Sequence, residues 1–180
     1  MAAILLRCGE GSEAMVVDYI SRVAAVVQAS GVAVLADAPA VVVARSPADG
    51  IHVDTAAGSD LKSALGLFKP RRIVGAGGLK SRHDAMVAGE AGADYVMFGE
   101  PDAQRRRPAL AAVTERVAWW TEVFEVPCVA FAGGLEEVEA LAKAGAEFVA
   151  LGDFMWTEPA GPVAAVRGAA ERLAVGEPAR

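Results

Sequence analysis

The sequence predicts an α/β fold: a TIM-type (β/α)8 barrel of about seven parallel strands, as though its first βα unit were lacking. Three observations predict it. Short apolar runs of strand length alternate with stretches whose apolar residues recur at helical spacing. Runs such as Pro127-Cys128-Val129-Ala130-Phe131-Ala132 are apolar on both faces, the pattern of a parallel sheet covered by helices. The phrase Ala-Gly-Ala-Asp/Glu before an apolar run occurs at Ala91-Gly92-Ala93-Asp94 and again at Ala144-Gly145-Ala146-Glu147. Each copy reads as a helix stop, a turn and a strand start.

In chain order, Ala3 to Leu6 is a strand with Arg7 at its end. Ser12 and Glu13 mark a helix entry, and Met15, Val16, Tyr19, Ile20, Val23, Val26 and Val27 form its apolar face until Gly31. Val32 to Ala36 is the next strand, ending at Asp37. Val41 to Ala44 is β-branched and suits a strand, but its slot in a βαβ repeat predicts a short helix. Gly50 to Val53 is a strand ending at Asp54, and Ser59-Asp60 opens a helix to about Phe68. Arg72 to Ala76 is a strand stopped by Gly77-Gly78. Ser81 caps a helix with Met86, Val87 and Ala91 inward. Asp94 to Phe98 is a strand, followed by a polar loop through Arg107. Pro108 opens a long helix to about Phe124. Its adjacent Trp119 and Trp120 cannot both face the core, so one is partly exposed or in a protein contact. After the strand from Pro127, Leu135, Val138, Leu141 and Ala142 make an inner helix face, with Glu136, Glu137, Glu139 and Lys143 outside. Phe148 to Leu151 is a second buried strand, stopped by Gly152-Asp153. Pro162 to Leu173 is the last helix, and Gly176 to Arg180 is expected to fray.

At 180 residues the chain is long enough for one domain, 1–180, with a sizeable core. A net charge of −6 argues against nucleic acid as a partner. No apolar run reaches the roughly 18 residues of a membrane span. The opening residues are too short for a secretory leader. Cys8 and Cys128 sit in apolar strand surroundings, so buried thiols in a cytoplasmic protein are expected rather than a bridge. A barrel one unit short exposes strand edges, and a homo-oligomer would seal them.

Two strand ends carry glycines where backbone N–H groups can approach an anion: Gly133-Gly134 and Gly152-Asp153. In an eight-stranded α/β barrel, the loops after the last two strands are the usual phosphate site. Asp37 and Arg7, at the C-terminal ends of strands, stand where barrel chemistry is placed. For Asp37 the competing reading is a helix cap, and for Arg7 a salt bridge with a strand-end acid. Arg105-Arg106-Arg107 is either a solvated loop or a source of one phosphate-contacting cation. His52 reads as a core histidine and His83 as a solvated one.

Several phrases carry a family resemblance: Ala48-Asp49-Gly50-Ile51-His52-Val53, Ile73-Val74-Gly75-Ala76, Gly92-Ala93-Asp94-Tyr95-Val96-Met97-Phe98-Gly99, and Val126 through Leu135. In order and spacing these resemble the thiamine phosphate synthase and TenI family of α/β barrels. The resemblance implies an enzyme joining a pyrimidine pyrophosphate to a thiazole phosphate with Mg²⁺.

Residue by residue, the family's Gln-x-Arg-x-Lys stands here as Leu5, Arg7 and Gly9, so the arginine alone remains. Its Asn-Asp is Ala36-Asp37, and its Gly-Gln-x-Asp is Asp54-Thr55-Ala56-Ala57, leaving Asp54 or Asp60 as substitutes for the second carboxylate. Gly77-Gly78-Leu79-Lys80 lacks the family's serine and histidine, and His83 falls a few residues late. Pro101 and the arginine run occupy the place of a lysine-bearing loop. The roles so implied are Asp37 for Mg²⁺, Arg7 for pyrophosphate, and Gly133, Gly134, Gly152, Asp153 and Arg105 around the phosphate of a phosphorylated substrate. Two other classes fit the departures: a catalytically degenerate paralogue that binds phosphometabolites, and a self-associating barrel protein without activity.

Overall fold

The computed structural model describes residues 1–9 and 11–176; the stretch 177–180, expected to fray, lies outside them. The chain forms two compact units, Met1–Asp94 and Tyr95–Arg180.

The first unit runs β1 (Ala3–Arg7), α1 (Glu13–Val27), β2 (Ala33–Asp37), α2 (Ala40–Ala44), β3 (Gly50–Asp54), α3 (Leu61–Phe68), β4 (Ile73–Gly77) and α4 (Arg82–Glu90). β1 pairs with β2, β2 with β3 and β3 with β4, all parallel. Val41 to Ala44 is helical as its slot predicts, with Pro39 fixing the entry and Val42 and Val43 buried. Each longer helix starts on a cap. Ser12 accepts from Met15 N–H, Asp60 from Ser63 N–H, and Ser81 with Asp84 makes a reciprocal capping box.

Two inner faces differ from expectation. On α1, Ile20 and Ala24 are buried, with Val16, Val23 and Val27 packed beside them, while Met15, Tyr19 and Val26 are exposed. At about 100° per residue, those three lie roughly 100–140° around the helix from Ile20. On α4 the buried residues are Ala85 and Ala88, whereas Val87 points outward and Ala91 is exposed. The small alanines take the buried positions of that helix, and Val87 stays outside. His52 is 1 % exposed within β3 and His83 is exposed, as predicted.

The second unit runs β5 (Tyr95–Phe98), α5 (Leu110–Val123), β6 (Cys128–Ala132), α6 (Val138–Lys143), β7 (Phe148–Leu151), α7 (Phe154–Thr157) and α8 (Pro162–Gly176). β5 pairs with β6 and β6 with β7, again parallel. Trp120 is fully buried, stacks on Phe124 at 4.1 Å, meets Phe98 edge-on at 5.8 Å, and donates its indole N–H to Val126 O at 2.7 Å. Such ring pairs contribute about 0.5–1.5 kcal/mol each beyond burial. Its neighbour Trp119 is only half-buried, as adjacency on a helix requires.

β7 is less buried than predicted. Phe148 is 48 % exposed, and Val149, Ala150 and Leu151 are intermediate. The helix after β6 is also delayed. A 3-10 turn, Leu135–Glu137, comes between Gly134 and α6.

The Ala-Asp/Glu repeat has a structural cause. The acid before a strand hydrogen-bonds the first amides of the strand beside it. Asp49, before β3, accepts from Val34 N–H at 2.7 Å; Asp94, before β5, accepts from Val74 N–H at 2.8 Å. Glu147, before β7, does the same for Cys128 N–H at 2.8 Å. Asp49 also accepts from Gln28, and Asp94 pairs with Lys69. Each acid satisfies an amide at a strand's N-terminal end that would otherwise lack a partner.

Candidate functional site

In the first unit, Arg7 and Asp37 are the last residues of β1 and β2 and are register partners. Partners in adjacent parallel strands project side chains from the same face, so a cation and a carboxylate share one side of the sheet's C-terminal edge. Cys8, next along, donates its N–H to Asp37 O at 3.1 Å. Burial, then the Asp37 charge, raise the Cys8 thiol above its ordinary pKa, so it stays protonated and non-nucleophilic at neutral pH.

The two proposed substitutes for a second metal carboxylate are engaged in capping. Asp54 accepts from Ala56 N–H at 2.9 Å and Ala57 N–H at 3.2 Å. Gly78, at φ +66°, leaves room for it; a Cβ there would lie 2.0 Å from the Asp54 carboxylate. Asp60 caps α3, and its hydrogen bonds with Ser63 hold its carboxyl below the usual aspartate range. Among the described residues no group of three or more His, Cys, Asp or Glu side chains is placed to hold a metal ion. Asp37 is left as the candidate protein carboxylate, and Mg²⁺ is usually held by one or two carboxylates together with substrate phosphates.

A cleft of about 480 Å³ in the first unit is lined by Ala44 and residues 67–72. It lies ahead of β4, at the end opposite Gly77, and none of the predicted site residues lines it. Arg72 in its wall is engaged, donating to Val43 O at 2.9 Å and lying 5.8 Å over the Phe68 ring.

In the second unit, each arginine of the run faces an acid. Arg105 lies 3.5 Å from Asp153, with both side chains almost fully exposed, and has a left-handed φ of 60°. Arg106 pairs with Asp102 at 2.8 Å. Arg107 is different. Its guanidinium donates to Gly99 O at 3.2 Å, to Phe131 O at 3.0 Å, and to both Glu137 oxygens at 3.3 and 2.9 Å. It also lies 5.1 Å over the Phe131 ring. The Arg107 and Glu137 side chains are 23 % and 18 % exposed.

Glu137 closes this network on the glycine turn. Its Oε2 accepts from Gly133 N–H at 2.7 Å. Glycine at 133 leaves space for this guanidinium, which Gly99 O, Phe131 O and Glu137 hold in place: a Cβ there would lie 1.6 Å from Arg107 Nη1. Burial alone would raise the Glu137 pKa. Hydrogen bonds from Arg107 and Gly133 and the guanidinium charge outweigh it, so the carboxyl titrates below the usual glutamate range. The expectation that Glu137 belongs to an outward face is thus corrected; it is turned back onto the end of β6. Gly152 N–H donates to Ala132 O at 2.9 Å, and a Cβ on Gly152 would lie 2.6 Å from the Phe131 ring.

Sequence reasoning missed Arg107 and Glu137 as a pair. The local signal was an acid three residues after Gly134, the spacing at which a side chain reaches back to amides at a helix entry. Nothing local pointed to Arg107 over its neighbours.

The residues matching the family described as thiamine monophosphate synthase are 1–153. A thiamine-phosphate synthase of Rhodospirillum centenum is 38 % identical over 169 residues, covering 92 % of this chain and 81 % of that protein. The chain belongs to this family. Among solved structures, a thiamine phosphate pyrophosphorylase from Pyrococcus furiosus superposes with a TM-score of 0.80 at 18 % identity, over 97 % of this chain and 84 % of that one. A 3-hexulose-6-phosphate synthase from Salmonella typhimurium superposes with a TM-score of 0.69 at 17 % identity, over 98 % and 100 %. These two likenesses show the fold: seven parallel strands alternating with helices in the manner of TIM-type barrels. The two neighbours carry names for different reactions, so activity has to be argued from family and site.

Proposed function

We propose that this chain is a thiamine-phosphate synthase, joining a pyrimidine pyrophosphate to thiazole phosphate. The observation that carries the proposal is the 38 % identity to a thiamine-phosphate synthase along 92 % of the chain. Two features, each within its own unit, support it: Arg7 and Asp37 at one strand edge in the first, and the Gly133-Gly134 turn with an anchored arginine in the second.

The chemistry needs negative charge stabilised on a departing pyrophosphate. A fixed cation does this best when it is already in place as the charge develops. We assign that role to Arg7, with Asp37 holding and orienting the cationic side of the substrate or a substrate-borne ion. Gly133, Gly134 and Gly152 shape the thiazole-phosphate end, with Arg105 and Asp153 at its rim. Asp37 would offer magnesium a protein carboxylate. No helix of the described residues is long and apolar enough to cross a membrane. The same reading makes the protein a cytoplasmic homo-oligomer acting on phosphorylated small molecules, not on nucleic acid.

The test is product formation from both thiamine precursors, followed by mass spectrometry. Folded wild-type protein should yield thiamine phosphate, and Arg7→Ala should lower the rate about a hundredfold, the usual cost of removing one preorganised charge-stabilising group. Folded protein that forms no product with both precursors and Mg²⁺ supplied rejects the assignment.

A further inference from the structure

The Glu137 carboxylate sits in a donor set that suits a phosphoryl group: a two-point guanidinium and a glycine N–H. Bidentate arginine plus backbone amide is a common way to hold a phosphate oxyanion. Here a side chain of the protein occupies it.

The pair is not symmetric. Arg107 is anchored by more than Glu137, because it also donates to the carbonyls of Gly99 and Phe131 and lies on the Phe131 ring. Those carbonyls belong to the ends of β5 and β6 and cannot leave with the acid. Glu137 has no such anchor. Among the described residues it accepts from Arg107 and Gly133 alone, and it ends a 3-10 turn at the surface. Rotation of its own side chain would carry it into water and leave the guanidinium and amide in place. By contrast, Arg105 and Arg106 sit in exposed pairs that hold neither guanidinium on strand carbonyls.

We propose that Arg107 and Glu137 form a displaceable anion clamp, in which a ligand's phosphoryl group replaces the Glu137 carboxylate on Arg107 and the Gly133 N–H. The proposal rests on the assignment of a phosphorylated substrate to the glycine turn and adds its regulation. Glu137 acts as an internal competitor that keeps the site formed and neutral when no ligand is bound. A phosphoryl group carries about 1.5 to 2 negative charges at neutral pH against one for the carboxylate, so it gains more from the same cation.

The experiment titrates inorganic phosphate into wild-type protein, Glu137→Gln and Arg107→Gln, reading heat of binding and backbone amide resonances. Glu137→Gln keeps the shape and removes the competing charge, and should bind phosphate about tenfold more tightly. Arg107→Gln should lose binding. In wild type, phosphate should shift the Gly133 amide and leave the Cys128 amide, held by Glu147, unmoved. Phosphate affinity unchanged or weakened in a folded Glu137→Gln overturns the proposal and makes the pair a structural tie. If that variant does not fold, the wild-type titration decides: a Gly133 amide that stays still while phosphate binds elsewhere, or not at all, overturns it. Failure of the synthase reading is separable. Absent turnover with a tenfold gain in Glu137→Gln removes the activity and keeps the clamp, whereas turnover without that gain removes only the clamp.

Discussion

Strand β6 has a glutamate on a backbone amide at each end, and the two ends are built differently. At the N-terminal end Glu147, an exposed acid, accepts from Cys128 N–H. Asp49 on Val34 and Asp94 on Val74 repeat the arrangement. At the C-terminal end Glu137 takes Gly133 N–H, but with an arginine bound to both its oxygens and a glycine that leaves space for that arginine. The first device recurs wherever the repeat recurs and serves the backbone. The second occurs where a barrel of this kind places its chemistry. A carboxylate on an amide is therefore not informative alone; the added cation and missing Cβ set this end apart from a strand tie.

The comparison is broken most severely by Arg107→Ala. That change leaves a mostly buried carboxylate and two strand-end carbonyls without their donor, and should cost about 3 kcal/mol of stability in a denaturant titration. A loss below 1 kcal/mol would mean water replaces the guanidinium freely, and the two ends of β6 are energetically alike. Glu147→Ala should cost less, about 1–2 kcal/mol, because one amide hydrogen bond is lost where water can reach.

Acid separates the ends next. The Glu137 pKa is lowered in the folded protein, so its contribution is fully present above the ordinary glutamate range and is lost as pH falls through the lower folded value. The stability gap between wild type and Glu137→Gln should shrink over that window on acidification. A gap that is flat with pH would show that the carboxylate charge contributes nothing. The smallest effect is expected for Arg105→Ala. Its pair with Asp153 is almost fully exposed, and its removal should change stability by less than about 0.5 kcal/mol. A larger loss would place Arg105 beside Arg107 as a structural cation.

Much of the fold was legible. Strand and helix order, the caps at Ser12, Asp60 and Ser81, and the short helix of valines all follow from spacing and from residues acting on their near neighbours. Faces were less legible. Tyr19 and Val26 have helical spacing with one another and still point outward, because hydropathy does not say which of two apolar stripes meets the sheet. The Ala-Asp/Glu repeat was visible, but not its purpose, since the amide each acid satisfies belongs to another strand. Arg7 and Asp37 were singled out from strand ends, and they are register partners. The arginine run was found as a run; which member mattered was not.

The sequence by itself determined the alternation of elements, the places where glycine had to end them, and the family. Those depend on interactions a few residues long, which periodicity and turn chemistry encode directly. Only the tertiary structure decided which group meets each exposed amide. Arg107 and Glu137 are 30 residues apart and meet because β5 and β6 lie side by side. A pairing of that kind has no local period: it exists only once parallel strands bring two distant loops to the same edge.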